Sequence, residues 1–412
     1  MRSRAGCLEF EVAQTSLSTE SVVEYHVAPD PNPDLDVIRS WFPILSTKTY
    51  LANGNVGPCA TPVEDAMNAF NAEWCAKGDA AYTYGWELYQ KATALYGLVI
   101  GADPSTIVSI PDTTTGINLA VQIIDPKPGS NVVVHENSYS AAVFPFLQLE
   151  SRGVEVRYAQ RRGPIVPLDE VARLVDDRTA AISICHVTTG NGFRFDLAGV
   201  CEIARTHGAA IVVDAAQSAG AFRIDLRETP VDFFAAPTFK WLLGPLGAGF
   251  LHVRQDWIER SNPPMIGPGS VINGERDLHK FELYPTARRF ERGVLALSCF
   301  AGAHAGLKIL TDLGMDFVER RILDLADAVY SGLQELGDQV QILSPSARRD
   351  RAGLVAFTTA RVPELYDHLE SAGVHTYKYQ QSTIRVDAQF YNTDDEIALL
   401  LSEIRAFLTH NP

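Results

Sequence analysis

The chain is short of cysteine, of positive charge and of long apolar runs. Its six cysteines, at positions 7, 59, 75, 185, 201 and 299, form no C-x-x-C pair, and no histidine cluster has zinc spacing. Neither a disulfide scaffold nor a metal site is therefore expected. Cys185 and Cys201 lie in apolar stretches and read as core residues. This usage suits a reducing compartment and a cytoplasmic location. No apolar stretch approaches the ~20 residues of a membrane span. Residues 1–34 carry two arginines but no apolar h-region, so they do not read as a secretory signal. They read as an extended N-terminal arm ending in the run Pro29-Asp30-Pro31-Asn32-Pro33. Lys and Arg number 35 against 50 Asp and Glu, and 35 − 50 = −15. A surface this acidic repels phosphate, which argues against nucleic-acid and anionic-membrane partners.

What is present is an ordinary globular balance, 46% hydrophobic and 21% charged over 412 residues. At ~150 residues per domain, two or three domains are expected. Between residues 105 and 254 short β-rich runs recur: Ser105–Ile110, Asn131–His135, Val154–Ala159, Ala180–Val187, Ala210–Asp214, Phe233–Ala236 and Gly249–Val253. Helical patterns separate several of them, one over Asp196–His207 with Asp196 as N-cap and Gly208 as its stop. Apolar strands alternating with helices imply an α/β fold with a mostly parallel central sheet covered on both faces. After Arg292 the texture changes to long helices, Leu295–Gly314 and Phe317–Gly337, then a weaker α+β pattern closing with a helix over Thr393–Thr409. The expected division is an arm (1–34), an N-terminal part of a small domain (35–60), a large domain (61–292) and a C-terminal small domain (293–412).

Ligands in such sheets bind beyond the carboxyl ends of the strands. Ile211-Val212-Val213-Asp214 puts Asp214 at one such end, and Lys240 follows the run Val231–Ala236, before the turn-rich Gly244–Gly249. A strand-end acid and a lysine set among Phe239, Trp241 and Leu242 suit a pyridoxal phosphate (PLP) site. The lysine condenses with the aldehyde, and the carboxylate keeps the pyridine nitrogen protonated. Desolvation disfavours the charged amine and makes such a lysine reactive. Taken singly, each is better read as a solvated lysine and a capping aspartate.

These segments resemble the fold-type-I PLP enzymes of the class V aminotransferase family, in its cysteine desulfurase and isopenicillin N epimerase-like branch. Asp214-Ala215-Ala216-Gln217 resembles the family's Asp-x-x-Gln/His motif, and Lys240-Trp241-Leu242-Leu243-Gly244-Pro245 its Schiff-base segment. The likeness runs from about Trp41 to Phe407. It implies PLP as cofactor, a small-molecule amino-acid substrate, and a homodimer with shared active sites. Thr113 and Thr114 match the phosphate-binding pair at the start of a helix, where free N–H groups favour an anion. Tyr139 is the aromatic expected against the cofactor ring, with His135 a weaker choice. Thr189 and Gln217 are placed to bond the phenolic oxygen. Arg385, charged within a short β-run, matches the arginine that clamps the substrate carboxylate. Arg288–Gly293 resembles a loop near the cofactor of the neighbouring subunit.

The chain also departs from the pattern. Pro237 and Phe239 replace a usual serine and histidine before the lysine, with Thr238 expected to compensate; Val294 replaces a threonine and Gln389 a histidine. Tyr377-Lys378-Tyr379 offers a second lysine between aromatics, read as structural. The stretch Tyr82–Trp86 reads either as helix packing or as a pocket wall. The mobile cysteine a desulfurase needs in its C-terminal domain is missing, since no cysteine follows Cys299. What remains open is β-elimination of an amino acid or its conjugate in specialised metabolism, which is favoured, against transamination, epimerisation, or PLP binding without catalysis.

Overall fold

Each of the seven apolar runs between residues 105 and 254 becomes a strand of one sheet. A computed structural model describes residues 33–272 and 278–410. The N-terminal arm, apart from its last two residues, lies outside them. In chain order the strands are β1 (Thr49–Tyr50), β2 (Ile107–Ile110), β3 (Asn131–His135), β4 (Glu155–Ala159), β5 (Thr179–Cys185), β6 (Ala210–Asp214), β7 (Phe233–Pro237) and β8 (Gly249–Val253). They continue with β9 (Gln341–Ile342), β10 (Leu354–Thr358), β11 (Val374–His375), β12 (Tyr377–Tyr379) and β13 (Thr383–Asp387).

The large sheet has the order β2-β8-β7-β6-β5-β3-β4. Strands β4, β3, β5, β6 and β7 pair parallel, and β8 runs antiparallel to both β7 and β2. Successive side chains leave a strand on opposite faces. Ile182, Ile211, Val213 and Phe234 accordingly enter one core, and Ala181, Val212, Phe233 and Ala235 the other. Helices cover both faces. The helix Leu197–His207 starts where Asp196 accepts the Gly199 N–H at 3.2 Å and stops at Gly208, whose φ is 69°. Burying a Val, Ile or Phe side chain contributes about 1.5–3 kcal/mol, so these double-sided strands hold the platform.

A second, antiparallel sheet has the order β12-β13-β10-β9, and β1 pairs parallel with β11 beside it. Leu51, from near the start of the described chain, packs in the core of this sheet with Val355, Ile384 and Val386. The helix Leu297–Leu313 packs in the large core through Phe300, Leu307 and Leu310. No described helix is long and apolar enough to cross a membrane.

The two sheets meet where residues after β5 touch β10. Gly192 has a φ of 71°, and a Cβ there would stand 2.2 Å from the carbonyl oxygen of Leu354. Gly163 shares the left-handed backbone, with a φ of 63°, but faces open space. Gly192→Ala is therefore expected to cost about 1–3 kcal/mol, and Gly163→Ala only the left-handed strain of about 1 kcal/mol. Denaturant unfolding of the two variants checks the difference.

Candidate active site

The carboxyl ends of β5, β6 and β7 converge with β13 of the small sheet, and the buried charges gather there. Asp214 closes β6, where all five residues are buried. Its Oδ1 accepts the Ala216 N–H at 2.9 Å, and the Cys185 thiol lies 3.9 Å from Oδ2. Burial pushes the Asp214 carboxyl above its usual range, opposed by that N–H and by Lys240. Lys240 follows β7, and burial pushes its ammonium down to about 8, opposed by the negative charges of Asp214 and Asp387. The turn beyond it is strained: Leu243 has a φ of 58°. Gly306 permits it, because a Cβ there would stand 2.8 Å from the carbonyls of Leu242 and Leu243.

Thr113 begins the helix Thr113–Ile124, whose cap is Asp112 accepting the Thr115 N–H at 2.8 Å. The Thr113 hydroxyl is buried and has no partner, whereas the Thr114 side chain is exposed. Gln217 is buried between two segments. Its Nε2 donates to the Gly54 carbonyl at 2.7 Å, and its Oε1 accepts from Trp241 Nε1 at 2.9 Å. One N–H of Nε2 remains uncommitted. Tyr139 keeps an exposed ring while its N–H donates to Cys185 Sγ at 3.2 Å. It lies within electrostatic range of Tyr379, as do Cys185 and Arg385. Thr189 is half-buried beside Gly190, where a Cβ would meet the Tyr379 ring at 3.4 Å. A cavity of about 800 Å³ opens here, lined by Asn137, Ser138, Gly190, Tyr379 and Thr383 among others.

Arg385 is buried and paired with Asp387, Nη2 to Oδ2 at 2.5 Å and Nε to Oδ1 at 3.4 Å. Its guanidinium stands 4.8 Å from the Tyr377 ring. Lys378 points the other way, 4.7 Å from the Tyr366 ring, as strand alternation requires.

One expectation is corrected. The Thr238 hydroxyl is within reach of two backbone carbonyls, Pro245 at 2.6 Å and Ala248 at 2.9 Å, and is fully buried. Its single proton closes the turn after β7, so it does not replace the missing serine and histidine. His135 supports the strand end: its Nε2 accepts the Cys185 N–H at 3.1 Å, and burial holds it neutral with a pKa of about 3. Glu291, in the loop Arg288–Gly293, accepts from Tyr89 at 2.6 Å and from Ser109, which ties that loop to β2. Trp86 packs edge-on against Tyr89, and a Cβ at Gly85 would stand 2.7 Å from Leu297, so these two residues pack the helix, while Tyr82 and Tyr84 are exposed.

Asn53, Gly54 and Asp387 were not foreseen as part of this cluster. Asn53 is fully buried, accepts the Tyr391 hydroxyl at 3.2 Å and leaves Nδ2 unpartnered. A Cβ at Gly54 would stand 2.8 Å from Asp387 Oδ2 and 2.9 Å from Arg385 Nη2. The two-residue spacing of Arg385 and Asp387 in a strand was the available signal, since it puts both on one face.

The arrangement fits a phosphorylated aldehyde cofactor on three observations: an orphan hydroxyl at a helix N-terminus, a buried carboxylate at a strand end, and a desolvated lysine. The family comparison agrees. The model of the class V aminotransferases matches residues 50–400. A probable cysteine desulfurase of Methanothermobacter thermautotrophicus is 27% identical over 88% of this chain and 95% of its own. The isopenicillin N epimerase of Streptomyces clavuligerus is 24% identical over 87% and 95%. Among solved structures, a cystine C–S lyase in complex with its product cysteine persulfide superposes with a TM-score of 0.81 at 24% identity, over 88% of this chain and 98% of that one. The chain belongs to the class V aminotransferase family, and its cofactor is PLP.

The Lys240 amine provides a direct check. In the cofactor-free protein it should be half-deprotonated near pH 8, where an ordinary lysine amine has a pKa of 10.5. Burial disfavours the ammonium, so the free amine should form on raising the pH through 8. Its rate of modification by an amine-directed reagent, followed by peptide mass spectrometry, should show that midpoint. Lys240→Ala should lose the visible absorption of lysine-held cofactor.

Proposed function

We propose that this member of the class V aminotransferases acts at Cα and Cβ of an amino acid or amino-acid conjugate, by β-elimination of a sulfur leaving group. The observation that carries the reading is the desolvated Lys240 amine, within electrostatic range of the Arg385–Asp387 pair. PLP, when bound, supplies an electron sink for the charge left at Cα. Thr113 at its helix N-terminus would receive the phosphate, Asp214 the pyridine nitrogen, and Tyr139 and Gln217 the ring and its oxygen. Asn53 Nδ2 and the free end of Arg385 would hold the substrate carboxylate.

The roles of the chain's own residues follow from position. Arg385 fixes the amino acid by its carboxylate. The Lys240 amine takes the proton from Cα, and its ammonium returns a proton to the leaving group. One group thus serves as base and then acid, which suits elimination. Epimerisation needs a second proton donor on the opposite face. A persulfide route is disfavoured, because no cysteine follows Cys299, and Cys299 lies in the helix Leu297–Leu313.

A panel of cysteine S-conjugates should yield thiol, pyruvate and ammonium in equal amounts. A 2-oxo acid that keeps its sulfur substituent would indicate transamination instead. PLP retained with no turnover across a broad amino-acid panel would indicate a binding protein. Arg385→Lys should raise KM by roughly ten- to a hundredfold, because an ammonium cannot reproduce a two-point carboxylate contact. Steady-state kinetics checks that value.

A further inference from the structure

Asp387 is a carboxylate that the reaction above does not use. It is fully buried, and its position is fixed from several sides: its N–H donates to the Leu51 carbonyl at 2.7 Å and its carbonyl accepts from Asn53 N–H at 3.3 Å. Its carboxylate covers the Nε/Nη2 edge of Arg385. The backbone of Gly54 closes on the same edge, where even a methyl group would meet Oδ2 at 2.8 Å and Nη2 at 2.9 Å. No ligand atom fits there. Arg385 Nη1 makes no hydrogen bond among the described residues, so the end of the guanidinium is what an incoming carboxylate meets.

A guanidinium presented this way is already half neutralised. It can hold one carboxylate end-on, whereas a second anionic group nearby meets a cation whose charge Asp387 already offsets. Lys378, the nearest lysine along the same sheet, is turned onto Tyr366. We propose that Asp387 is a specificity-determining residue, which makes the site accept amino acids with a single carboxylate and reject those with a second anionic group on the side chain. The proposal rests on the reading of Arg385 as the carboxylate clamp. Like charges brought together at a desolvated site cost enough to decide between ligands.

The test is calorimetric binding to the PLP-loaded protein of two probes that lack a Cα hydrogen and so do not turn over, 2-aminoisobutyrate and 2-methylaspartate. The wild type should prefer the monocarboxylate by roughly tenfold or more. Asp387→Asn, which keeps the shape and removes the charge, should narrow that preference to about threefold or less. Arg385→Ala should weaken both probes. Equal wild-type affinities overturn the proposal without recourse to any variant, even if Asp387→Asn fails to fold. An unchanged preference in a folded Asp387→Asn overturns it while leaving the clamp intact, provided Arg385→Ala has weakened both probes. If Arg385→Ala weakens neither, the clamp reading itself fails and the proposal falls with it.

Discussion

Asp214, Arg385 and Asp387 are buried in one place with Lys240 half-buried beside them, and the structure stands only if each charge is compensated. Removing a charge from water costs several kcal/mol, which a partner repays only with good geometry and additional hydrogen bonds. Arg385 and Asp387 satisfy each other within one strand. Asp214 and Lys240 follow neighbouring strands and make no ion pair with each other, and burial shifts both toward their neutral forms, as it does Asp387. The contrast separates roles. The closed pair is fixed in place, whereas Lys240, without such a partner, keeps an amine that can exchange a proton.

The large sheet makes this possible by being rigid and dry. Parallel strands with both faces covered end together at one edge, so a residue one step beyond a strand is fixed by the whole core. Cys185 and Asp214 stand opposite each other in register, and the sulfur touches both Asp214 and the backbone of Tyr139. A neutral thiol suits this place, since burial and Asp214 both push its pKa upward.

Much of this was legible in the sequence, for reasons that differ by residue. The seven strands announced themselves through continuous β-branched and apolar runs, and the helix Leu197–His207 through its cap and its glycine. Asp214 and Lys240 were found because strand ends are where ligands bind. Family motifs supplied Thr113, Tyr139 and Arg385. Thr238 was misjudged because a hydroxyl's direction depends on the turn around it, and this turn folds back onto Pro245 and Ala248. Asn53 and Gly54 were invisible for another reason: they sit more than 150 residues in sequence from Gln217 and more than 300 from Arg385 and Asp387. No local pattern carries contacts of that range. Asp387 is legible from its two-residue spacing to Arg385, which puts both on one face of the strand.

Those long separations bear on how the molecule comes to be built. The strands of the large sheet lie between residues 107 and 253, so that platform can form while the rest of the chain is still being made. The segment Leu51–Gly54 cannot find its place until β11 and β13 exist, because Leu51 bonds His375 and Asp387, and Asn53 bonds Asp387. Closing such a loop is the slow, high-contact-order step of folding. Assembly of the charged cluster is therefore a late event in synthesis, and the nascent protein passes through a stage with the strands of the large sheet made and no functioning centre.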